Sequence, residues 1–134
     1  MPSTVKDLIE TAGVETAFGS PLMQGNVLSR DPVCALRMQD AGVVRLGKIT
    51  VPEFAGSVLT ESIRSGVKGN PRVAEYLSSG PSGVSAVAVA SGLGRLRLAT
   101  DGAGSLRLPA SCCGVLGLKS TPGPIPHELA PDLF

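Results

Sequence analysis

The run Asp101-Gly102-Ala103-Gly104-Ser105 narrows the folding options of this chain more than any other segment. Three small residues in a row leave the backbone free to turn its N–H groups toward a single point. A nest of that kind is what a developing oxyanion requires. Ser105 closes the run, so one short peptide offers both a nucleophile and the donors that would stabilise its tetrahedral intermediate. Taken by itself, a serine in a glycine-rich loop is a turn residue. The residues that follow it, through Thr121, decide how much more it is.

Composition sets the outer limits. The chain has 134 residues, enough for one modest domain around one core. It carries 12 Lys+Arg against 11 Asp+Glu, with no run of either sign, so the basic face of a nucleic-acid binder is not expected. Trp is absent and only one Tyr and three Phe are present, which leaves Val, Leu, Ile and Ala to build the interior. Seventeen glycines and eleven prolines imply many turns. The cysteines, Cys34, Cys112 and Cys113, are odd in number and include an adjacent pair, which argues against a disulfide framework and for a reducing, cytoplasmic setting. Zinc-type ligand spacing is missing, and His127, the sole histidine, reads as a surface residue, so no metal or cofactor is expected. No apolar run approaches the ~20 residues of a membrane span, and the amino-terminal residues have no signal-peptide core.

Along the chain, residues 4–7 read as the end of a strand entering a loop. Asp31-Pro32 reads as an N-cap followed by proline at the first helical position, with the helix running to Ala41 and stopped by Gly42. Residues 43–46 are a short apolar run beside a glycine, a buried strand by that criterion. Pro52 to Phe54 starts a turn or short helix, 57–72 has no clear period, and Asn70-Pro71 marks a loop. Residues 84–90 alternate as a strand does, but Ser82 ahead of them suits a helix N-cap. Residues 96–99 and 115–118 read as strands. Strands alternating with helices give an α/β layer with much parallel pairing.

The stretch from Asp101 to Thr121 resembles the signature of the amidase signature family, roughly Asp-x-Gly-Gly-Ser-Ile/Leu-Arg-x-Pro-Ala-x-x-Cys-Gly-Val/Ile-x-Gly-Leu-Lys-Pro-Thr. Asp101, Gly104, Ser105, Arg107, Pro109, Cys113, Gly114, Gly117, Leu118, Lys119 and Thr121 fall in step, while Ala103 replaces a glycine and Ser120 a proline. The similarity extends toward the amino terminus through Val5-Lys6-Asp7, Phe18-Gly19-Ser20, Asp40-Ala41-Gly42, Leu46-Gly47-Lys48, Pro52-Glu53-Phe54-Ala55 and Asn70-Pro71. The resemblance implies a portion of the family's mixed β-sheet core flanked by helices, present here as a single partial domain over 1–134. It tips residues 84–90 to helix.

The resemblance also implies a mechanism. A serine attacks an amide carbonyl, a bridging serine held by a cis peptide bond relays its proton to a neutral lysine, and the acyl-serine is hydrolysed. Carried over by motif, Ser105 is the nucleophile and Lys6 the base. The N–H groups of Gly102, Ala103, Gly104 and Ser105 form the oxyanion hole. Such a base needs a depressed pKa, because an ordinary ammonium at ~10.4 holds its proton near neutrality. The sequence departs from the family at Gly80-Pro81-Ser82-Gly83-Val84-Ser85, where Pro81 stands in the bridging position and Ser82 is the nearest hydroxyl to replace it. Proline tolerates a cis bond better than other residues, so the bend is retained in this reading. Arg107 is expected to pair with a carboxylate that holds the loop, Asp101 to position the glycines, and Cys113 to be a small buried hydrophobe.

Two other motifs are weak. Gly92-x-Gly94 lacks the third glycine of a dinucleotide fingerprint, and Gly47-Lys48 is followed by Ile49 where a phosphate loop has a hydroxyl. The resulting expectation is a hydrolase that converts a small carboxamide to a carboxylate and ammonia or amine. The ammonia-generating subunit of a tRNA-dependent amidotransferase, and a non-catalytic truncated relative acting with a partner, are the alternatives. A homo-oligomer, or further amidase segments, would cover the faces that a partial sheet leaves open.

Overall fold

The computed structural model describes residues 1–73 and 76–126; His127 lies outside them. At its centre is a three-stranded parallel sheet. Strand β1 (Pro2–Lys6) is flanked by β2 (Val44–Ile49) and β5 (Leu96–Leu98). Ser3 and Val5 of β1 sit opposite Arg45 and Lys48 of β2, so β2 carries one extra residue between those pairs. Gly47 occupies that bulge at φ +154, a backbone geometry glycine adopts without strain. The run 43–46 is therefore an edge strand rather than the buried one its composition suggests, with Val44 60% and Leu46 64% exposed.

Three short α-helices accompany the sheet, α1 (Val33–Asp40), α2 (Gly83–Ala90) and α3 (Arg107–Cys113), with α2 contacting both β5 and α3. Each ends on a glycine in the left-handed region, Gly42, Gly92 and Gly114, at φ +79, +73 and +62. After α1 the N–H groups of Gly42 and Val43 return to the carbonyls of Gln39 and Met38, and after α2 those of Gly92 and Leu93 return to Val89 and Ala88. These paired bonds satisfy the last carbonyls of each helix. Gly92 is thus a helix stop, which accounts for half of the Gly92-x-Gly94 pattern.

Three sequence expectations are corrected. Pro32 takes the N-cap position of α1 without a side-chain capping bond, because the Asp31 carboxylate is drawn instead to the Ala12 N–H at 2.9 Å and to Arg45. Residues 115–118 form no strand; Gly114 turns the chain out of α3, and Leu116 and Leu118 are 95% and 82% exposed. Every peptide bond among the described residues is trans, including the one before Pro81, so the chain turns there through Gly80 at φ +75. The undecided run 57–72 contains a two-stranded antiparallel ribbon, β3 (Glu61–Ser62) with β4 (Gly66–Val67).

A small core of Leu8, Phe18 and Val51 sits just beyond the end of β1. It joins two segments that the sequence motifs pick out separately. Ser20 Oγ donates to Glu53 Oε1 at 2.6 Å, and the Phe18 and Phe54 rings stack with centroids 6.3 Å apart. Gly19 admits no side chain, since a Cβ there would run into the backbone of Val51 and Pro52. These motifs thus serve to clamp the loop after β1, whose last residue is Lys6.

Candidate active site

Lys6 ends β1 pointing into the structure, and its side chain is fully buried. Thr100, shortly after β5, and Ser105, ahead of α3, meet it there. Lys6 Nζ lies 2.8 Å from Ser105 Oγ, 2.8 Å from Thr100 Oγ1 and 3.5 Å from the Thr100 carbonyl oxygen. Burial strips water from the ammonium and lowers the Lys6 pKa to about 7, although the Asp101 carboxylate pulls it the other way. A lysine with that pKa is half neutral near pH 7, whereas at ~10.4 about one in 2,500 would be.

Ser82, at the start of α2, caps nothing with its side chain. Its hydroxyl instead lies 3.2 Å from Ser105 Oγ and 3.3 Å from the Thr100 carbonyl oxygen. Ser82 therefore touches Ser105, and no Ser82–Lys6 bond is formed among the described residues. The structure brings Lys6, Ser82 and Ser105 together, but as two contacts to Ser105 rather than as a chain with Ser82 between Ser105 and Lys6. Pro81 lines the same cleft and offers no hydroxyl.

The glycine loop is held by Asp101. Its carboxylate accepts the N–H groups of Gly104 at 2.7 Å, Leu106 at 3.3 Å and Arg107 at 3.1 Å. The Arg107 guanidinium adds two more bonds, at 2.8 and 3.0 Å. This paired guanidinium holds the Asp101 carboxyl well below the usual carboxylate range. Asp101 and Arg107 thus play the loop-holding parts expected of them. Gly104 does not stand with the other donors, because its N–H is spent on Asp101. Among the described residues, the N–H groups of Gly102, Ala103 and Ser105 meet no acceptor.

The loop opens on a cleft of about 970 Å³ lined on one side by Lys6, Pro81 and residues 98–106. Glu10, Arg30 and Lys119 are the other charged side chains on its walls, and Leu8, Leu28, Val58 and Leu108 are among the apolar ones. A second lysine, Lys48, is partly buried near the end of β2. Lys48 donates to Thr16 Oγ1 at 2.8 Å and to the Ile9 carbonyl, and lies 3.8 Å from Asp7. Desolvation lowers its pKa to about 8 and raises that of Asp7. This pair ties β2 to the loop after Lys6.

Thr100 is the residue that sequence reasoning missed. The available signal was its place directly before Asp101.

Comparison with known proteins gives the family to which the chain belongs. The sequence model of the amidase family matches residues 1–131. The chain is 39% identical over its whole length to an acylamidase of Rhodococcus erythropolis, covering 28% of that protein. It is 41% identical over 93% of its length to a glutamyl-tRNA(Gln) amidotransferase subunit of Methanococcoides burtonii, covering 26% of it. The crystal structure of the peptide amidase from Stenotrophomonas maltophilia superposes with a TM-score of 0.84 at 37% identity, over 90% of this chain and 26% of that one. The chain thus spans about a quarter of the length of these relatives. With a family match over nearly every residue and the same α/β core, this chain belongs to the amidase family.

Proposed function

We propose that this chain carries the hydrolytic centre of an amidase, cleaving a small carboxamide through an acyl-Ser105 intermediate. The observation that carries the reading is the direct 2.8 Å contact between a fully buried, half-neutral Lys6 amine and Ser105 Oγ. Lys6 takes the hydroxyl proton as Ser105 Oγ bonds to the carbonyl carbon. The N–H groups of Gly102, Ala103 and Ser105 receive the oxyanion. The Lys6 ammonium then returns the proton to the leaving nitrogen as the C–N bond breaks. Water attacks the acyl-serine ester, Lys6 takes its proton, and Ser105 regains one. Ser82 holds the Ser105 hydroxyl in place through its 3.2 Å contact. No relay is needed, which removes the difficulty posed by Pro81.

The free thiols of Cys112 and Cys113 support a reducing, cytoplasmic setting. No helix among the described residues is long and apolar enough to cross a membrane. The same centre would also serve the ammonia-releasing step of a tRNA-dependent amidotransferase, and hydrolysis of a free aryl amide separates the two uses. Wild-type chain is expected to release the aryl amine with steady-state turnover, and Ser105→Ala to lose on the order of 10⁶ in kcat. Turnover that survives in Ser105→Ala would overturn the assignment.

A further inference from the structure

Lys6 can serve as a base in one orientation only. A neutral amine has two N–H donors and one lone pair. It can accept the Ser105 proton only when the lone pair, and not an N–H, faces Ser105 Oγ. Burial does not settle this, because Ser105 Oγ can accept a hydrogen bond as readily as it donates one.

Thr100 settles it. Both of its oxygens face the amine, the hydroxyl at 2.8 Å and the carbonyl at 3.5 Å. When the two N–H donors are taken by these oxygens, the remaining direction at nitrogen is the one toward Ser105, 2.8 Å away. Once the proton has moved, the ammonium has three donors and finds three acceptors: Thr100 Oγ1, the Thr100 carbonyl and Ser105 Oγ. The same atoms serve both protonation states without any side chain moving. We infer that Thr100 is the positioning residue that aims the Lys6 lone pair at Ser105, an inference that rests on the reading of Lys6 and Ser105 given above.

Thr100→Val removes the hydroxyl and keeps the shape, and Thr100→Ser keeps the hydroxyl. The rate at which a fluorophosphonate modifies Ser105 is measured against pH for all three forms. Thr100→Val is expected to lower the maximal rate constant about 10- to 100-fold, the size of a lost hydrogen bond to a charged group, with reagent binding unchanged. Its pH midpoint should move down, because the ammonium form loses more than the amine does. Thr100→Ser should restore both. Wild-type rate and midpoint in Thr100→Val would overturn the inference. A wild-type chain that is never modified at Ser105 would instead sink the hydrolase reading. In that event the titration of the Lys6 Cε resonance in ¹³C-lysine-labelled chain still decides the matter. A midpoint lowered in Thr100→Val and recovered in Thr100→Ser supports the role of Thr100, and an unmoved one refutes it.

Discussion

Replacing Lys6 by Met should make the chain more stable near neutral pH while abolishing its chemistry. Lys6 is fully buried and its pKa falls to about 7 in the fold, against ~10.4 for a lysine in an unfolded chain. Between those two values the unfolded state holds a proton that the native state lacks. Unfolding is therefore favoured by protonation, and stability rises with pH across that window. At pH 7 the cost of keeping this lysine amounts to about 4 kcal/mol, and at pH 9 to about 2 kcal/mol. Met fills a similar volume without a charge to desolvate. It forfeits the hydrogen bonds to Thr100 Oγ1, the Thr100 carbonyl and Ser105 Oγ, which contribute about 1 kcal/mol each. The net expectation is a gain of about 1 kcal/mol at pH 7 that turns into a loss of about 1 kcal/mol at pH 9. Urea unfolding of both forms at the two pH values measures it. Lys48, whose pKa of about 8 lies in the same window, is present in both proteins and cancels in the difference. A Lys6→Met chain less stable than wild type at pH 7 would refute the reasoning. So would a stability gap that does not change with pH, since it would mean that Lys6 is not held neutral by burial.

Pro81→Ser is expected to change aryl-amide turnover by less than about tenfold, because the proton already has a direct path. A gain of ~10²–10⁴, the worth of an acid–base relay, would show that the missing hydroxyl was limiting. Gly83→Ala should destabilise the chain by about 1–3 kcal/mol in thermal or urea unfolding, as overpacking does. A Cβ at position 83 would lie 2.6 Å from Ser78 Oγ and would strike Thr60 Oγ1 as well.

Much of the site was legible because its chemistry lies in one contiguous peptide. Asp101 to Arg107 contains the nucleophile, the loop and the carboxylate that holds it, and Lys6 follows from a motif near the other end of the chain. Longer-range facts were not legible in the same way. Ser82 sits at a helix start, where spacing alone suggests a cap, yet tertiary contacts turn its hydroxyl toward Ser105. Thr100 carries no motif meaning until β1 and β5 pair and bring it against Lys6. Helix α3 is hidden by Pro109 and by the glycines around it, although proline in a first turn is compatible with a helix. The apolar run 115–118 shows a strand pattern, but Gly114 and the end of α3 direct it to the surface, where it finds no partner strand among the described residues. Gly104 reads with its neighbours as a donor to the cleft, and the Asp101 carboxylate claims its N–H instead.

Direct activation of Ser105 by a neutral Lys6 amine is the step on which the proposed chemistry stands. The measurement that tests it most closely is the pH dependence of fluorophosphonate modification, with the adduct located by peptide mapping. The adduct is expected on Ser105, with a rate that climbs to a plateau through a single midpoint near the Lys6 pKa of about 7 and that collapses in Lys6→Met. An adduct on another residue, or a rate on Ser105 that keeps climbing toward the ~10.4 of an ordinary lysine, would contradict it.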